Sequence, residues 1–253
     1  MIGDAQKATL RGQRALAQKN LVRRLESLGS DNKDRPRLVT ALNQISRNFL
    51  TDRTQAVFES AESLYFSGKS SESLKRYREA EKLEPNNTQI IAALARNLIS
   101  QDHCTEARSM VLGGLSFNPN DQELRLLEIR TDLCRDIHPG DWKANEETLV
   151  NLEAEFGLEA AWYRLLMEDK NGAKKVAMGQ ARRLLKIDPQ FPEPLYLLWK
   201  NSPQSAARRN WAASYIATCK KSDQLFRRRY KNEPLLCEWV KVLEEALAKG
   251  ADS

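Results

Sequence analysis

Two prolines set 34 residues apart, each closing the same kind of segment, constrain this chain more than any other feature. Ser73-Leu74-Lys75-Arg76-Tyr77-Arg78-Glu79-Ala80 leads into Leu83-Glu84-Pro85-Asn86-Asn87, and Ala107-Arg108-Ser109-Met110-Val111-Leu112-Gly113-Gly114 leads into Phe117-Asn118-Pro119-Asn120. Upstream, Val57, Ala61 and Leu64 in one copy and Ile91, Ala95 and Leu98 in the other share the spacing 4 then 3, which is one face of an α-helix. Two helices per period of roughly 34 residues make a repeat array. A single antiparallel pair cannot hide its apolar faces, so pairs stack on one another. Ala61, Ser73, Ala80, Ala95, Ala107 and Gly114 are the small residues expected where helices approach most closely. Each proline, with no donor and a fixed φ, ends the second helix and starts the next, and Asn86, Asn87 and Thr88 offer N-caps.

The flanks read as helices by periodicity. Residues 5–28 are predicted as one long helix ending in the stripe Leu21, Val22, Leu25 and Leu28, with a polar first half that frays or docks on a partner. After the loop 29–33, Asp34 is predicted to cap a helix with Pro36 in its first turn and Leu38, Leu42, Ile45 and Phe49 along one face. Leu126, Ile129 and Leu133 mark the first helix of a looser third repeat. A long link, 136–140, joins it to a second helix carrying Trp142, Leu149, Leu152 and Phe156 and closed by Gly157 as a left-handed cap. In a fourth repeat, Trp162, Leu165 and Leu166 precede Ala177, Ala181, Leu184 and Ile187, which lead to Asp188-Pro189. A fifth pair spans Pro192 to Lys200 and Gln204 to Lys221. A helix over 222–231 follows, and a last one starts near Pro234 with Leu236, Trp239, Leu243 and Leu247. The expected fold is all-α: an α-solenoid of antiparallel helix pairs between N- and C-terminal capping helices. The expected organisation is a helical cap or degenerate repeat over 1–53, repeats over 54–190, and a degenerate repeat with capping helices and a basic patch over 191–253.

In this pattern the chain resembles the tetratricopeptide repeat (TPR) family. Ala95, Ala107, Gly114 and Pro119 in the second repeat, and Ala61, Ser73, Tyr77, Ala80 and Pro85 in the first, stand where that family has its signature positions; the clear resemblance covers about half of the chain. It implies a right-handed superhelix and a non-enzymatic scaffold or adaptor whose first helices line a concave groove for a peptide or a partner's helix. The groove residues it implies are Gln55, Phe58, Glu62 and Tyr65, then Gln89, Ala92 and Arg96, then Leu127 and Thr131, then Tyr163 and Met167. Members that grip the C-terminal carboxylate of chaperones use a Lys and an Asn in the first such helix. Here Phe58 and Glu62 occupy those positions, so that clamp is missing.

Chemistry finds little purchase. The two histidines are His103, beside Cys104, and His138, in a His-Pro-Gly-Asp turn; adjacent helical residues point apart, so His103 and Cys104 make a poor nucleophile–base pair. No glycine-rich phosphate loop, zinc-protease motif or serine-elbow motif is present, and neither a cofactor nor a metal site is expected. Cys104, Cys134, Cys219 and Cys237 form no CxxC pair; three read as small core residues, which favours a reducing compartment. No apolar run of about 18 residues and no apolar leader among the basic residues 1–30 point to a membrane span or signal peptide, so a cytoplasmic location is expected.

The sharpest alternative lies in the charge distribution. Between residues 181 and 231 stand 12 Lys/Arg, among them Arg182, Arg183, Arg208, Arg209, Arg227, Arg228 and Arg229, against only Asp188, Glu193 and Asp223. Phe191, Tyr196, Trp199, Trp211, Tyr215, Phe226 and Tyr230 are interleaved with them. Charge with stacking rings suits single-stranded nucleic acid; charge alone suits an acidic protein. The four-residue spacing of Trp211 and Tyr215, and of Phe226 and Tyr230, equally suits a solvated face over a core. The basic N-terminal helix could also lie on an anionic membrane, but its apolar face is short, and packing within the fold suits it better. A protein or peptide partner in the groove is the expected function; an RNA-associated repeat or a self-assembling scaffold are the alternatives.

Overall fold

A computed structural model describes residues 1–134, 142–203 and 205–250. Among the described residues there are helices and turns but no strand. The chain divides into two compact units, Met1–Ile137 and His138–Ser253. The first holds α1 (Ile2–Leu10), α2 (Arg14–Glu26), α3 (Arg35–Arg47), α4 (Asp52–Phe66), α5 (Ser70–Leu83), α6 (Thr88–Ser100), α7 (Cys104–Phe117) and α8 (Gln122–Leu133). The second holds α9 (Trp142–Lys170), α10 (Lys174–Ile187), α11 (Glu193–Asn201), α12 (Ser205–Lys220), α13 (Gln224–Arg229) and α14 (Val240–Gly250).

The repeat is written in the backbone as well as in the sequence. The residue before each corner proline is the C-cap of the preceding helix, and the three share one conformation: Glu84 (φ −134°, ψ 77°), Asn118 (φ −141°, ψ 86°) and Asp188 (φ −135°, ψ 93°). Proline forces its predecessor out of the helical region, which is why the helix stops at the same place each time. The turns inside each pair match too. Gly68 (φ 80°), Asp102 (φ 68°) and Gly172 (φ 81°) lie at corresponding positions. The following amides of Lys69, His103 and Ala173 each bond a carbonyl five residues back, on Leu64, Leu98 and Glu168. Asn87 accepts from the amides of Gln89 and Ile90, and Asp121 from that of Leu124, as N-caps should. These repeated corners and turns, with α4 through α8 in the first unit and α9 through α12 in the second each packed on the next, make the fold TPR-like stacks of helix pairs.

The small residues stand where they were expected. Ala61, Ser73, Ala80, Ala95 and Ala107 are fully buried. A Cβ on Gly114 would come within 2.7 Å of Leu124 Cδ1, whereas one on Gly113 would meet nothing within 4 Å. Helix α6 touches α3, α4, α5, α7 and α8, and Ile90 through Ile99 are all buried.

The ends depart from the expectations. The helix predicted over 5–28 is broken: Gly12 adopts φ 78° and α1 folds back on α2 and α3. Ala5 joins Ala17, Leu21, Leu25, Leu38, Leu42 and Ile45 in one apolar cluster, which a straight helix could not form. Asp34 makes no side-chain cap; the Asn32 carboxamide oxygen accepts from the Asp34 amide instead. Gly157 has no left-handed backbone; the helix runs on, kinked at Phe156 (φ −125°, ψ 43°). The helix predicted over 222–231 shrinks to the six residues of α13, capped by Asp223. The last helix starts at Val240, and residues 231–239 run in turns, with Cys237 at φ 65°. The expected link and turn at 136–141, with His138, lie outside the described residues.

All four cysteines are paired, Cys104 with Cys134 and Cys219 with Cys237, at Cα–Cα distances of 6.1 and 5.6 Å. Of the three expected in the core, Cys134 and Cys219 are buried and Cys237 is only half-buried, while Cys104, expected at a helix turn, is buried; the pairing removes the ground for placing the chain in a reducing compartment. Partners 30 and 18 residues apart give no local spacing signal to read.

Candidate functional site

Most of the expected groove is filled by the chain itself. Phe58 is buried between Phe49 and Tyr77, at ring distances of 5.1 and 5.9 Å. Ala92, Leu127 and Thr131 have no exposed surface, and Tyr163 and Met167 are buried in the second unit. These six are buried and offer little surface for display. Gln55 is exposed, and Glu62, Tyr65 and Gln89 are half-buried. Gln55 donates to Glu59, one turn on along α4.

Arg96 stands at the centre of a buried charge network that joins three repeats. Its guanidinium bonds Glu123 on α8 and Glu62 on α4, the latter at 3.2 Å. Glu62 also accepts from the Tyr77 hydroxyl. Arg47, at the end of α3, reaches into the same cluster and bonds Asp121 at 3.0 Å and Glu123. The Thr88 hydroxyl donates to Asp121. Burial alone would lower the Arg96 and Arg47 pKa values, but in each case the facing carboxylates outweigh it and stabilise the cation. Burial, reinforced by Glu62, pushes the Tyr77 phenol up. The cluster ties α3, α4, α6 and α8 together, with the Arg96 Nε as a buried donor left without a partner among the described residues. A second buried pair ties α2 to the first corner: Arg14 donates to Glu84 at 2.7 Å and to the Asn48 carbonyl, and Glu84 accepts from the amides of Leu50 and Thr51. Burial lowers the Arg14 pKa, against the pull of Glu84.

The pairing of Cys104 with Cys134 leaves no thiol beside His103. Among the described residues no group of three His, Cys, Asp or Glu side chains is gathered as a metal site would need.

The basic segment of the second unit is exposed at all seven arginines singled out from the sequence. Arg229 bonds Asp188 at 2.7 Å and lies over the Tyr230 ring, and Arg208 lies 5.0 Å from the Trp199 ring centre. Arg182, Arg183 and Arg227 show no ion pair among the described residues. The interleaved rings are largely core. Phe191, Tyr215 and Tyr230 are at most 1% exposed. Phe191 packs on Trp162 and Tyr230, and Phe226 on Tyr230. Burial raises the Tyr230 phenol, which donates to Asp188. Beside these rings a cleft of about 550 Å³ is lined by Pro189, Ala217, Leu225 and Phe226, with Lys221 and Arg229 as its cations and Asp223 as its acid. Leu225 is 75% exposed there, a large apolar side chain with no cover.

A further feature escaped the periodic reading. The turn segment 231–239 is held by polar side chains of α9, α11 and α12. Trp162 donates to Glu233 at 2.8 Å, the Tyr163 hydroxyl to the Asn232 carbonyl, and Glu193 accepts from the Cys237 amide at 2.7 Å. The Tyr215 hydroxyl donates to Glu193 and accepts from the Trp239 amide. The Trp239 ring stacks on Tyr196 at 4.3 Å, tilted by only 4°. Pro234 in a stretch with Leu236, Trp239 and Leu243 reads as a helix start, and nothing local betrays partners some 70 residues upstream.

Among the described residues no helix is long and apolar enough to cross a membrane. No family model matches this chain, and no curated protein matches it. It is similar to the crystal structure of MamA protein, at 14% identity and a TM-score of 0.43, over 70% of this chain and 94% of that one, a likeness too slight to carry an argument. The TPR-like fold stands instead on the chain's own recurring corners, turns and close helix approaches.

Proposed function

We propose that this chain is a non-enzymatic scaffold that holds a partner protein, and that the partner presents an acidic segment to the basic face of the second unit. The observation that carries this reading is the cleft in which apolar and cationic side chains stand together. Exposed Leu225 beside Phe226 and Pro189 offers apolar area, Lys221 and the Asp188-paired Arg229 join it, and among the described residues Arg182, Arg183 and Arg227 show no ion pair. Apolar surface supplies affinity and uncompensated charge supplies steering and selectivity. Nucleic acid suits the segment less well, because three of its rings are buried and have no face to offer a base. A second reading keeps the partner in the first unit, along exposed Gln55 and half-buried Tyr65 of α4 with half-buried Gln89 of α6.

Affinity capture with wild type, Arg227→Glu/Arg228→Glu and Gln55→Ala/Tyr65→Ala separates these surfaces. Loss through the arginine pair alone supports the basic face. Loss through the α4 pair alone moves the site to the first unit, and retention by both removes both surfaces. A salt titration of the captured complex distinguishes a protein from a nucleic acid by the steeper slope of phosphate contacts. Light scattering on the purified chain tests self-assembly.

A further inference from the structure

We propose that residues 231–239 are a built-in peptide occupying a binding surface of the second unit, and that the Cys219–Cys237 disulfide latches them there. Reduction then exposes Trp162, Tyr163, Glu193, Tyr196 and Tyr215 to a turn-forming segment of a partner protein with the same chemistry: an acid, a proline, apolar residues and an aromatic ring. The inference rests on the scaffold reading only in taking the partner to be a protein.

The segment adds the contacts a bound peptide makes to the apolar packing of Cys237 and Trp239 on the cluster of Leu195, Ala212 and Tyr215. Its main chain is read directly: the Tyr163 hydroxyl donates to the Asn232 carbonyl, and Glu193 and the Tyr215 hydroxyl accept from the amides of Cys237 and Trp239. Its side chains fill matching sites, Glu233 on the Trp162 indole N–H and Trp239 flat on Tyr196. Backbone bonds give affinity to a chain that follows the same turns, and the flanking sites select for sequence. The fit also has costs. The buried Asn232 carboxamide oxygen has no partner, and Cys237 sits at φ 65°, a region that disfavours residues with a Cβ. The latch offsets those costs by keeping the segment at high local concentration. Both ends of the segment have their own anchors. Tyr230 bonds Asp188 and packs on Phe191, and Leu243 of α14 is fully buried beside Leu195, Ala212 and Tyr215. The segment can therefore lift as a loop while α13 and α14 stay in place.

The reductant is a dithiol. Cys219 is buried and Cys237 half-buried, so the attacking thiolate reaches the Cys237 sulfur and expels the Cys219 thiolate, which takes up a proton. The reductant's second thiol then resolves the mixed disulfide and frees the Cys237 thiol. Two electrons and two protons pass to the protein, and the reductant leaves as its own disulfide.

The test uses the full chain, oxidised or reduced with a dithiol, and a fluorescent peptide with the sequence of residues 230–239 carrying serine in place of the cysteine. Trypsin should cut after Lys231 at least tenfold faster in the reduced chain, with the far-UV circular dichroism unchanged. The peptide should bind the reduced chain and the Cys219→Ser variant but not the oxidised chain. Glu233→Ala, which weakens the built-in segment alone, should tighten peptide binding to the reduced chain, and Glu193→Gln should weaken it about tenfold. Equal cleavage in both redox states overturns the latch. Cleavage without peptide binding overturns the assignment of the surface, and loss of helical signal in the unreduced Cys219→Ser variant, which keeps Cys104–Cys134 intact, shows that the Cys219–Cys237 disulfide simply staples the fold. Each of these failures is distinct from failure of the acidic-partner reading, which is judged by Arg227→Glu/Arg228→Glu in the oxidised chain.

Discussion

Replacing Arg96 tests whether a residue at a groove-facing repeat position has become structural. Its side chain is 3% exposed and bonds Glu123, itself 5% exposed, and Glu62. Arg96→Met keeps most of the apolar stem and removes the charge, so packing changes little and the electrostatic loss is isolated. Breaking a buried pair by deleting one partner costs about 3–5 kcal/mol. The lower end applies here, about 3 kcal/mol, because Glu123 keeps Arg47 and Glu62 keeps the Tyr77 hydroxyl. With a urea slope of about 2 kcal/mol per molar, the midpoint for the first unit should fall by about 1.5 M. All 5 tryptophans lie in the second unit. Indole fluorescence therefore follows that unit, and far-UV circular dichroism follows both. The dichroism transition should move or split while the fluorescence transition stays. Adding Glu62→Gln, which removes the carboxylate left with only the Tyr77 hydroxyl, should recover part of the loss. A dichroism transition unmoved by Arg96→Met, or a double variant less stable than the sum of its parts, would refute the reasoning.

Three further outcomes are expected. Asp102→Gly should raise the stability of the first unit by about 0.5–1 kcal/mol in urea unfolding, since a side chain is held at φ 68° where Gly68 and Gly172 stand in the other repeats; a loss would show that the Asp102 side chain matters more than its backbone. Gly114→Val should cost about 1–3 kcal/mol by pushing Ile91 and Leu124 aside, while Gly113→Ala, facing open space, should gain about 0.5–1 kcal/mol of helix preference. Burial raises the Glu159 carboxyl above its ordinary value of 4.5, against the help of its Asn232 contact and with Glu233 adding repulsion. The folded state therefore holds that proton more tightly, and its contribution to stability falls as pH rises from 4.5 through the raised folded value. Glu159→Gln should flatten that fall and leave the second unit more stable at neutral pH, read by tryptophan fluorescence during unfolding at a series of pH values; parallel profiles for wild type and variant would show that Glu159 does not set the slope.

The sequence alone determined the repeat: which faces are apolar, where small residues let helices close up, and where proline ends each pair. These signals are local, since a missing donor, a fixed φ and a 3.6-residue period act within a turn or two of chain. Gly114 and the corners at Pro85, Pro119 and Pro189 were legible for that reason. Tertiary structure alone decided which of those faces remain open. Gln55 and Arg96 carry the same kind of side chain a groove would display. Only the packing of α3 and α8 turns Arg96 into a buried strut, while α4 leaves Gln55 in water. In the same way Pro234 reads as a helix start, yet Trp162, Tyr163 and Glu193, remote in sequence, hold residues 231–239 in turns. Hydrogen bonds and disulfides between distant residues leave no periodic trace, because the groups that satisfy them are chosen by the fold and not by their neighbours along the chain.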